Sequence, residues 1–213
     1  MTPLALAVLA SVFIASHGKW DHPIWQNESR LQEYQIAWKS LNKSSDVTYY
    51  QLRATELISG SILTNKEQLL ETNYSCWSVN MLNLKQDKEK GVRRYHYMVT
   101  ATGAVHFMDE EVETVSKLNY TTKNAVEYVY DKNYTTHADP VIFSDGEMCD
   151  LFNVPRVSNQ YGCELWVKDK YKNNVPPCCS FIYDLLCAVD ESYEIYDEKK
   201  CQAVVESSPG NSG

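Results

Sequence analysis

The sequence contains none of the short motifs that mark common catalytic sites. It has no G-x-S-x-G, no P-loop and no glycine-rich dinucleotide turn, and its eight glycines leave little material for a phosphate-binding loop. The five histidines form no pair at the helical spacing of metal ligands. The acidic pairs Glu110–Glu111 and Glu191–Glu194 are typical of solvated faces. We therefore predict a protein without enzymatic activity, metal ion or cofactor.

The sequence also lacks an apolar run long enough to span a membrane. Its most apolar stretch is residues 4–15, and about a dozen residues are too few for a transmembrane helix. With the small residues that follow, this stretch is typical of a secretory signal peptide, which we place at residues 1–18. No Gly/Ser/Pro-rich linker divides the remainder, so we predict one domain over residues 19–203 and a disordered tail over residues 204–213.

Basic residues are outnumbered, with 20 Lys and Arg against 28 Asp and Glu, a net charge of -8 and a pI near 5.1. This balance argues against nucleic acid or an anionic membrane as a partner. Such acidity is ordinarily explained by solubility, and a cationic ligand is the more specific alternative.

Glycosylation sequons and cysteines are abundant. Five N-x-S/T tripeptides are present, none with a central proline, and together with the signal peptide they predict a secreted glycoprotein in an oxidising compartment. The predicted acceptors are Asn27, Asn42, Asn73, Asn119 and Asn133.

The seven cysteines allow three disulfides with one thiol left over, and the sequence alone does not choose the pairing. A bridge stabilises mainly by restricting the unfolded chain, by about 2 to 4 kcal/mol, and the longest loop gains most. Cys76 and Cys201 enclose the longest loop. The odd cysteine is either free or paired with another chain; we favour a buried free thiol at Cys178 or Cys179.

Apolar periodicity predicts a helix, eight short strands and a second helix. Residues 27–41 and 178–189 have helical spacing, whereas the segments between them alternate with period two. This order suggests a sandwich or an up-and-down barrel, and eight strands close around room for one small ligand. The predicted strands cover residues 49–54, 76–81, 94–100, 106–115, 126–130, 141–143, 151–154 and 164–167.

Tyrosine and tryptophan are over-represented, with fifteen and five residues against five phenylalanines. Rings that carry a polar group suit the wall of a cavity that is apolar yet offers hydrogen bonds.

Several segments resemble the tick salivary histamine-binding lipocalins, from about Trp38 to Cys201. They are residues 37–41 (Ala-Trp-Lys-Ser-Leu), 46–50 (Asp-Val-Thr-Tyr-Tyr), Cys76, residues 149–150 (Cys-Asp), 153–155 (Asn-Val-Pro), 164–166 (Glu-Leu-Trp) and 177–179 (Pro-Cys-Cys). The resemblance implies an all-β, eight-stranded antiparallel lipocalin barrel with an N-terminal helix and a C-terminal helix packed outside. It implies the bridges Cys76–Cys201 and Cys149 to Cys179 or Cys178, which leaves Cys163 and Cys187 as candidates for a third.

The resemblance also implies two amine pockets, one at each end of the barrel. For the first, Asp139, Asp150, Glu164 and Trp166 fall on matching positions. For the second, Glu110 and Tyr128 match, while Glu56 and His137 replace aromatic residues of the family. The expected ligand is thus a biogenic amine, histamine or serotonin, and we expect a monomer. A plainer alternative is that Asp150 and Glu164 are surface acids and Trp166 belongs to the core.

Two other functions stay open from the sequence. A barrel that binds a fatty acid, leukotriene or sterol would favour an inward cation, and a third possibility is a scaffold that inhibits a host defence protein. Period two places Tyr50, Leu52, Ala54 and Glu56 inside and turns Arg53 outward. Arg93 and Arg94 face opposite ways, so one of them can point in.

Overall fold

The structure, a computed structural model, describes residues 23–63, 68–129, 135–187 and 191–208. The predicted signal peptide and Asn133 lie outside the described residues. No helix within the described ranges is both long and apolar enough to cross a membrane.

One antiparallel sheet of ten strands forms the fold, in the order β10-β1-β9-β8-β7-β6-β5-β4-β3-β2. Burial alternates with period two over the first half of β4, as the sequence pattern predicts. The strands are β1 (Tyr49–Ala54), β2 (Ser59–Leu63), β3 (Leu69–Lys85), β4 (Lys90–Val99), β5 (Ala104–Val115), β6 (Ala125–Val129), β7 (Thr136–Ser144), β8 (Cys149–Val154), β9 (Gly162–Lys168) and β10 (Tyr193–Glu194).

The sheet closes on itself because β1 pairs with β9 on one side and with β3 on the other. The closed cylinder therefore contains eight strands, and the predicted eight-stranded antiparallel barrel is confirmed. Strands β2 and β10 are short additions that pair with the ends of β3 and β1. Closure leaves few unpaired strand edges and encloses an interior.

The facing predicted for β1 is wrong. Tyr50 and Leu52 lie outside the barrel, in the apolar layer beneath the C-terminal helix, while Tyr49 packs with the interior residues. The pairing with β9 shifts between Gln51 and Arg53, which marks a bulge. The bulge restores Ala54 to the interior and leaves Arg53 outside, so the predicted outward direction of Arg53 holds for another reason.

The predicted helix over residues 27–41 is not continuous. Gln35 interrupts it, because its buried amide donates to the carbonyl of Trp25 at 2.7 Å and accepts from the hydroxyl of Tyr120 at 2.8 Å. Ile36 is extended, with φ -77° and ψ 107°. The pieces are two 3-10 turns (Ile24–Gln26 and Gln32–Tyr34), α1 (Glu28–Leu31) and α2 (Ala37–Leu41).

The C-terminal part packs on the outside of the barrel. Helix α3 (Pro177–Leu186) begins at the predicted proline pair and buries Tyr183 against β1, β8 and β9. The tail predicted to be disordered is helical at its start, in α4 (Gln202–Ser207). Val204 is fully buried beside the Cys76–Cys201 pair, and Ser208 bonds Ser78 at 2.9 Å, so this segment has apolar and polar partners that its composition does not reveal.

Three disulfides hold these outer elements to the barrel: Cys76–Cys201, Cys149–Cys179 and Cys163–Cys187. These are the pairs that the resemblance and the remaining cysteines suggested. The free thiol is Cys178, and the expectation that it is buried is wrong: it lies at the second position of α3 on the exposed side, while Cys179 turns inward.

Because Cys178 is exposed, we expect one maleimide to attach per chain without denaturant. Mass spectrometry of the intact protein before and after labelling measures this. Labelling that requires denaturant would contradict the exposed position, and Cys178→Ser should abolish the reaction while leaving the fold unchanged.

The three bridges should differ in their contribution to stability. In the chain-entropy relation, closing a loop with the 125-residue separation of Cys76–Cys201 stabilises by about 5 kcal/mol. The 24-residue separation of Cys163–Cys187 gives about 3.5 kcal/mol. Replacing each pair by serine and measuring urea unfolding should therefore cost more for the long loop, with Cys178→Ser as the neutral control. Equal losses would contradict the entropic account.

Candidate functional site

The barrel encloses a cavity of about 880 Å³ that opens at one end between the β1–β2 and β8–β9 connections. We call it the outer cavity. Its volume lies within the range of small-molecule sites, about 300 to 1,000 Å³. Inward-facing residues of most barrel strands line it, and the charged ones among them decide what it can bind. The lining residues considered below, charged and aromatic, are Arg93, Tyr95, Glu110, Tyr128, His137, Asp139, Arg156, Glu164 and Trp166.

Arg93 points into this cavity. It stands opposite Glu110 across the β4–β5 ladder, and its Nε and Nη2 donate to Glu110 Oε2 at 3.0 and 2.6 Å. Its guanidinium also lies over the rings of Tyr95 and Tyr128, 5.5 and 5.3 Å from their centroids. Only 8% of the residue is exposed, so this cation is neutralised by a partner within the barrel wall.

A second cluster joins Tyr128, Asp139 and Arg156. Arg156, in the turn after β8, donates to the hydroxyl of Tyr128 at 2.6 Å and stands 3.6 Å from Asp139 Oδ2. The same hydroxyl donates to Asp139 Oδ1 at 3.2 Å. Asp139 is 7% exposed, and burial raises its pKa to about 7 against the opposing attraction of Arg156. Asp139 therefore titrates near neutral pH.

Glu164 differs from the other two inner carboxylates. It lies two positions before Trp166 on β9, so both side chains face the interior, and its Oε2 accepts from Trp166 Nε1 at 3.1 Å. Burial raises its pKa, and the charge of Arg156 opposes this rise. Arg156 thus attracts both Asp139 and Glu164, but it lies within ion-pair distance of Asp139 only. Among the described residues Glu164 forms no ion pair, and of the three inner carboxylates it is the one without a cation in direct contact.

Aromatic rings line the cavity beside this carboxylate. Trp166 lies 5.8 Å from Tyr95, whose ring meets Trp77 at 5.9 Å, and all three rings line the outer cavity. Beyond the lining, Trp77 stacks on Tyr97 at 4.5 Å, and Tyr97 on His106 at 5.9 Å. The aromatic wall that the composition suggested therefore begins beside Glu164, and it suits a flat ligand.

The opposite end of the barrel holds a space of only about 30 Å³, which we call the inner cavity. Asp150 lies there with Lys43, whose Nζ stands 3.6 Å from Asp150 Oδ2; each side chain is 5% exposed. Ser144 donates to Asp150 Oδ1 at 2.5 Å. Burial raises the pKa of Asp150, and the charge of Lys43 lowers it. Arg93, Tyr95, Phe152 and Trp166 line both cavities and form the partition between them.

The structure regroups the predicted site residues. Asp139, Glu164 and Trp166 share the outer cavity with Glu110 and Tyr128, although the resemblance assigned them to two pockets. Asp150 does not join them, because it lies beyond the partition.

His137 stacks on Tyr128 with centroids 6.3 Å apart. Glu56 lies at the rim, where it accepts from the backbone N–H and hydroxyl of Ser158 at 3.0 and 3.2 Å and ties two loops together. All five predicted acids therefore lie inside the barrel or at its mouth, and the alternative that Asp150 and Glu164 are surface acids is wrong.

Sequence reasoning missed two of the charged residues inside the barrel. Arg156 follows Pro155 just past the end of β8, where strand alternation no longer assigns a direction. Lys43 is the central residue of a sequon and lies outside any regular element, so no periodicity applied to it. Across the described ranges, no group of three or more His, Cys, Asp or Glu is placed to hold a metal ion.

Comparison with known proteins finds a matching family and relatives of similar length. The family model described as tick histamine binding protein matches residues 25–203. The male-specific histamine-binding salivary protein of Rhipicephalus appendiculatus is 29% identical over 191 residues, covering 85% of this chain and 88% of that protein. Female-specific histamine-binding protein 1 of the same tick is 27% identical over 175 residues, covering 82% and 86%.

Solved structures share the fold. The crystal structure of AM182 in complex with serotonin matches with a TM-score of 0.53 at 18% identity, over 78% of this chain and 92% of that chain. At this identity the match shows a common barrel architecture.

The raised pKa of Asp139 predicts a pH-dependent stability. A carboxyl group with a raised folded-state pKa stabilises the fold below its unfolded-state value of about 3.9, and this contribution is lost as the pH rises to about 7. Asp139→Asn cannot ionise. Its free energy of unfolding, relative to the parent, should therefore rise on the order of 2 kcal/mol between about pH 5 and pH 8.

Urea unfolding at each pH measures this difference. Asp109→Asn is the control, because Asp109 is exposed and paired with Arg94, which lowers its pKa, so it is ionised in both states over this range. Parallel pH curves for Asp139→Asn and the parent would contradict the prediction.

Proposed function

Because the chain belongs to the tick histamine-binding protein family, we propose that it is a secreted salivary lipocalin that sequesters a biogenic amine, histamine or serotonin, in its outer cavity. The family model spans nearly all of the described chain, and two relatives from one tick are named as histamine-binding proteins. The choice between the two amines and the site within the barrel are parts of the proposal.

Glu164 is the observation that carries the proposal. An ammonium group leaves water only where a charge meets it, since the desolvation penalty otherwise exceeds the gain. Glu110 is already neutralised by Arg93 and Asp139 faces Arg156, whereas Glu164 forms no ion pair with a described residue. A bound ammonium would give Glu164 a cation in direct contact, as Arg93 does for Glu110 and Arg156 for Asp139.

The surroundings of Glu164 suit the remainder of an aromatic amine. Trp166 and Tyr95 offer ring faces within reach of a ligand held at Glu164, and a cation–π contact adds roughly 0.5 to 2 kcal/mol. The hydroxyl of Tyr128 and the carboxyl of Asp139 provide polar partners deeper in the wall. We assign Glu164 to the ammonium, Trp166 and Tyr95 to the rings, and Asp139 with Tyr128 to a second polar group.

An acidic lipid is the second candidate, and the inward direction of Arg93 favours it. A fatty acid or leukotriene carboxylate could pair with such a guanidinium. Arg93, however, already donates two hydrogen bonds to one carboxylate of its own barrel, and an incoming acid would have to displace Glu110 and leave it buried. The unpaired charge in the cavity is negative, which supports the amine.

Secretion and glycosylation belong to the same proposal. Asn42, Asn73 and Asn119 are exposed on the outside of the barrel, and Asn27 is partly exposed, so each can carry a glycan without disturbing the outer cavity. We propose that the chain acts as a monomeric binding protein rather than as an enzyme.

Glu164→Gln tests the proposal directly. The substitution keeps the shape and one hydrogen bond but removes the charge, and losing a charge-assisted hydrogen bond costs about 1.5 to 3 kcal/mol. Titration calorimetry with histamine and serotonin should therefore show roughly ten- to a hundredfold weaker binding. Trp166→Leu should also weaken binding through lost ring area and cation–π attraction.

Glu113→Gln is the matched control, because Glu113 points outward from β5 and pairs with Lys90 at the surface. The amine assignment would be contradicted if Glu164→Gln bound the amines as tightly as the parent. It would also be contradicted if the parent bound neither amine at micromolar concentration. Arg93→Gln/Glu110→Gln removes the pair together, so that no buried charge loses its partner. It separates the two candidates, since it should abolish binding of an acidic lipid and leave an amine bound at Glu164.

A further inference from the structure

Lys43 places an amino group of the chain itself inside the barrel. Its neighbour Asn42 is exposed and carries the sequon, whereas Lys43 turns inward and ends 3.6 Å from Asp150 and 4.7 Å from the centroid of the Tyr49 ring. Within the described ranges no hydrogen-bond acceptor contacts its Nζ. The charge of Asp150 and the ring face of Tyr49 therefore hold this group in place.

The segment that carries Lys43 is fixed over this end of the barrel. Asn80, buried on β3, donates to the carbonyl of Val47 at 3.0 Å and to the hydroxyl of Thr48 at 2.8 Å. These bonds hold the connection between α2 and β1 across the barrel end. The ammonium is thereby directed inward by the fold and does not depend on a chance rotamer of a surface lysine.

An amine bound at this end of the barrel would place its ammonium between a buried carboxylate and an aromatic face. Lys43 already places its own amino group in that position. We propose that Lys43 is a built-in ligand of Asp150, which fills and neutralises the inner cavity and leaves the chain with one binding cavity.

The remaining space supports this assignment. About 30 Å³ is left beside Lys43, and a single water requires at least about 10 to 15 Å³ of such volume. A molecule with a ring and an aminoethyl chain does not fit there. The partition of Arg93, Tyr95, Phe152 and Trp166 lies between this space and the outer cavity, and Asp150 lines only the inner side.

Chemical rescue of Lys43→Ala tests the inference. The substitution removes three carbons and the ammonium, a volume that matches n-propylammonium, and leaves Asp150 without its cation. We expect the variant to unfold at a lower temperature than the parent. Propylammonium at roughly 50 mM should raise its midpoint by a few degrees more than that of the parent. Propanol and sodium chloride at the same concentration should not.

Two further variants isolate Asp150 as the partner. In Lys43→Ala/Asp150→Asn the carboxylate is absent, so the extra effect of propylammonium should disappear. Lys117→Ala is the matched control: Lys117 forms a 3.2 Å ion pair with Glu127 at the surface, where water replaces the lost ammonium. It should show neither the loss of stability nor the rescue. A midpoint of Lys43→Ala that responds to propylammonium no more than the parent's would overturn the inference.

Lys43→Met provides a second readout that needs no ligand, because the apolar chain fills the same path without charge. Asp150 would then ionise facing Asp145 and the hydroxyl of Tyr49, with Ser144 as a neutral donor, and its folded-state pKa would rise further. Stability conferred by a raised carboxyl pKa is lost as the pH rises. Lys43→Met should therefore lose stability relative to the parent as the pH rises, and a parallel curve would count against the pairing.

The inference rests on the proposed function only in the statement that the remaining cavity takes one amine. Propylammonium that enters the outer cavity does so in parent and variant alike, so the difference between them reports on Asp150 alone. If the parent binds no amine and Lys43→Ala is still rescued, the proposed function fails and the assignment of Lys43 stands. Titration of the parent should give one equivalent of amine per chain, and two equivalents would contradict the closed inner cavity.

Discussion

The interior of this barrel is governed by the cost of removing charges from water. Arg93 with Glu110, Lys43 with Asp150, and Arg156 with Asp139 and Tyr128 each bring a cation and its partner into the wall together. An unpaired charge in such surroundings costs several kcal/mol, so the pairs are conditions for folding as much as features of a site. Pairing within the wall also determines which charge is available to a ligand. It is the carboxylate of Glu164, because that group has no ion pair of its own.

The partition between the two cavities follows from the same pairs. Arg93 is held by Glu110 and by two tyrosine rings, and this fixed guanidinium forms part of the boundary with Tyr95, Phe152 and Trp166. On one side of this boundary is the outer cavity, which is large and lined with aromatic rings. On the other side is the inner cavity, which the side chain of Lys43 occupies. Both cavities contain a buried carboxylate beside an aromatic ring, but only the outer one has room for a ligand.

Much of the fold could be predicted from the sequence. Strand alternation and the family resemblance predicted the barrel and the outer helix, because both depend on local periodicity. The resemblance also predicted the disulfide pairs, because the cysteines lie in or near the matching segments. The misses have local physical causes: a bulge at Gln51–Arg53 inverts the facing of β1, and the buried amide of Gln35 breaks the first helix. The predicted acids do line the barrel interior or its rim, but the predicted division of the site residues between two pockets differs from the one observed. Arg156 and Lys43 lie outside regular elements, and only three-dimensional proximity reveals which acids they neutralise.

The bridge between Cys76 and Cys201 has a consequence for the order in which the protein is made. Every strand of the closed barrel ends by Lys168, more than thirty residues before the second sulfur of this bridge. As the chain emerges from its amino terminus, all segments of the barrel are therefore available before Cys201. The bridge from Cys201 to Cys76 then ties α4 to a strand made much earlier, so the barrel does not need this bridge in order to begin closing.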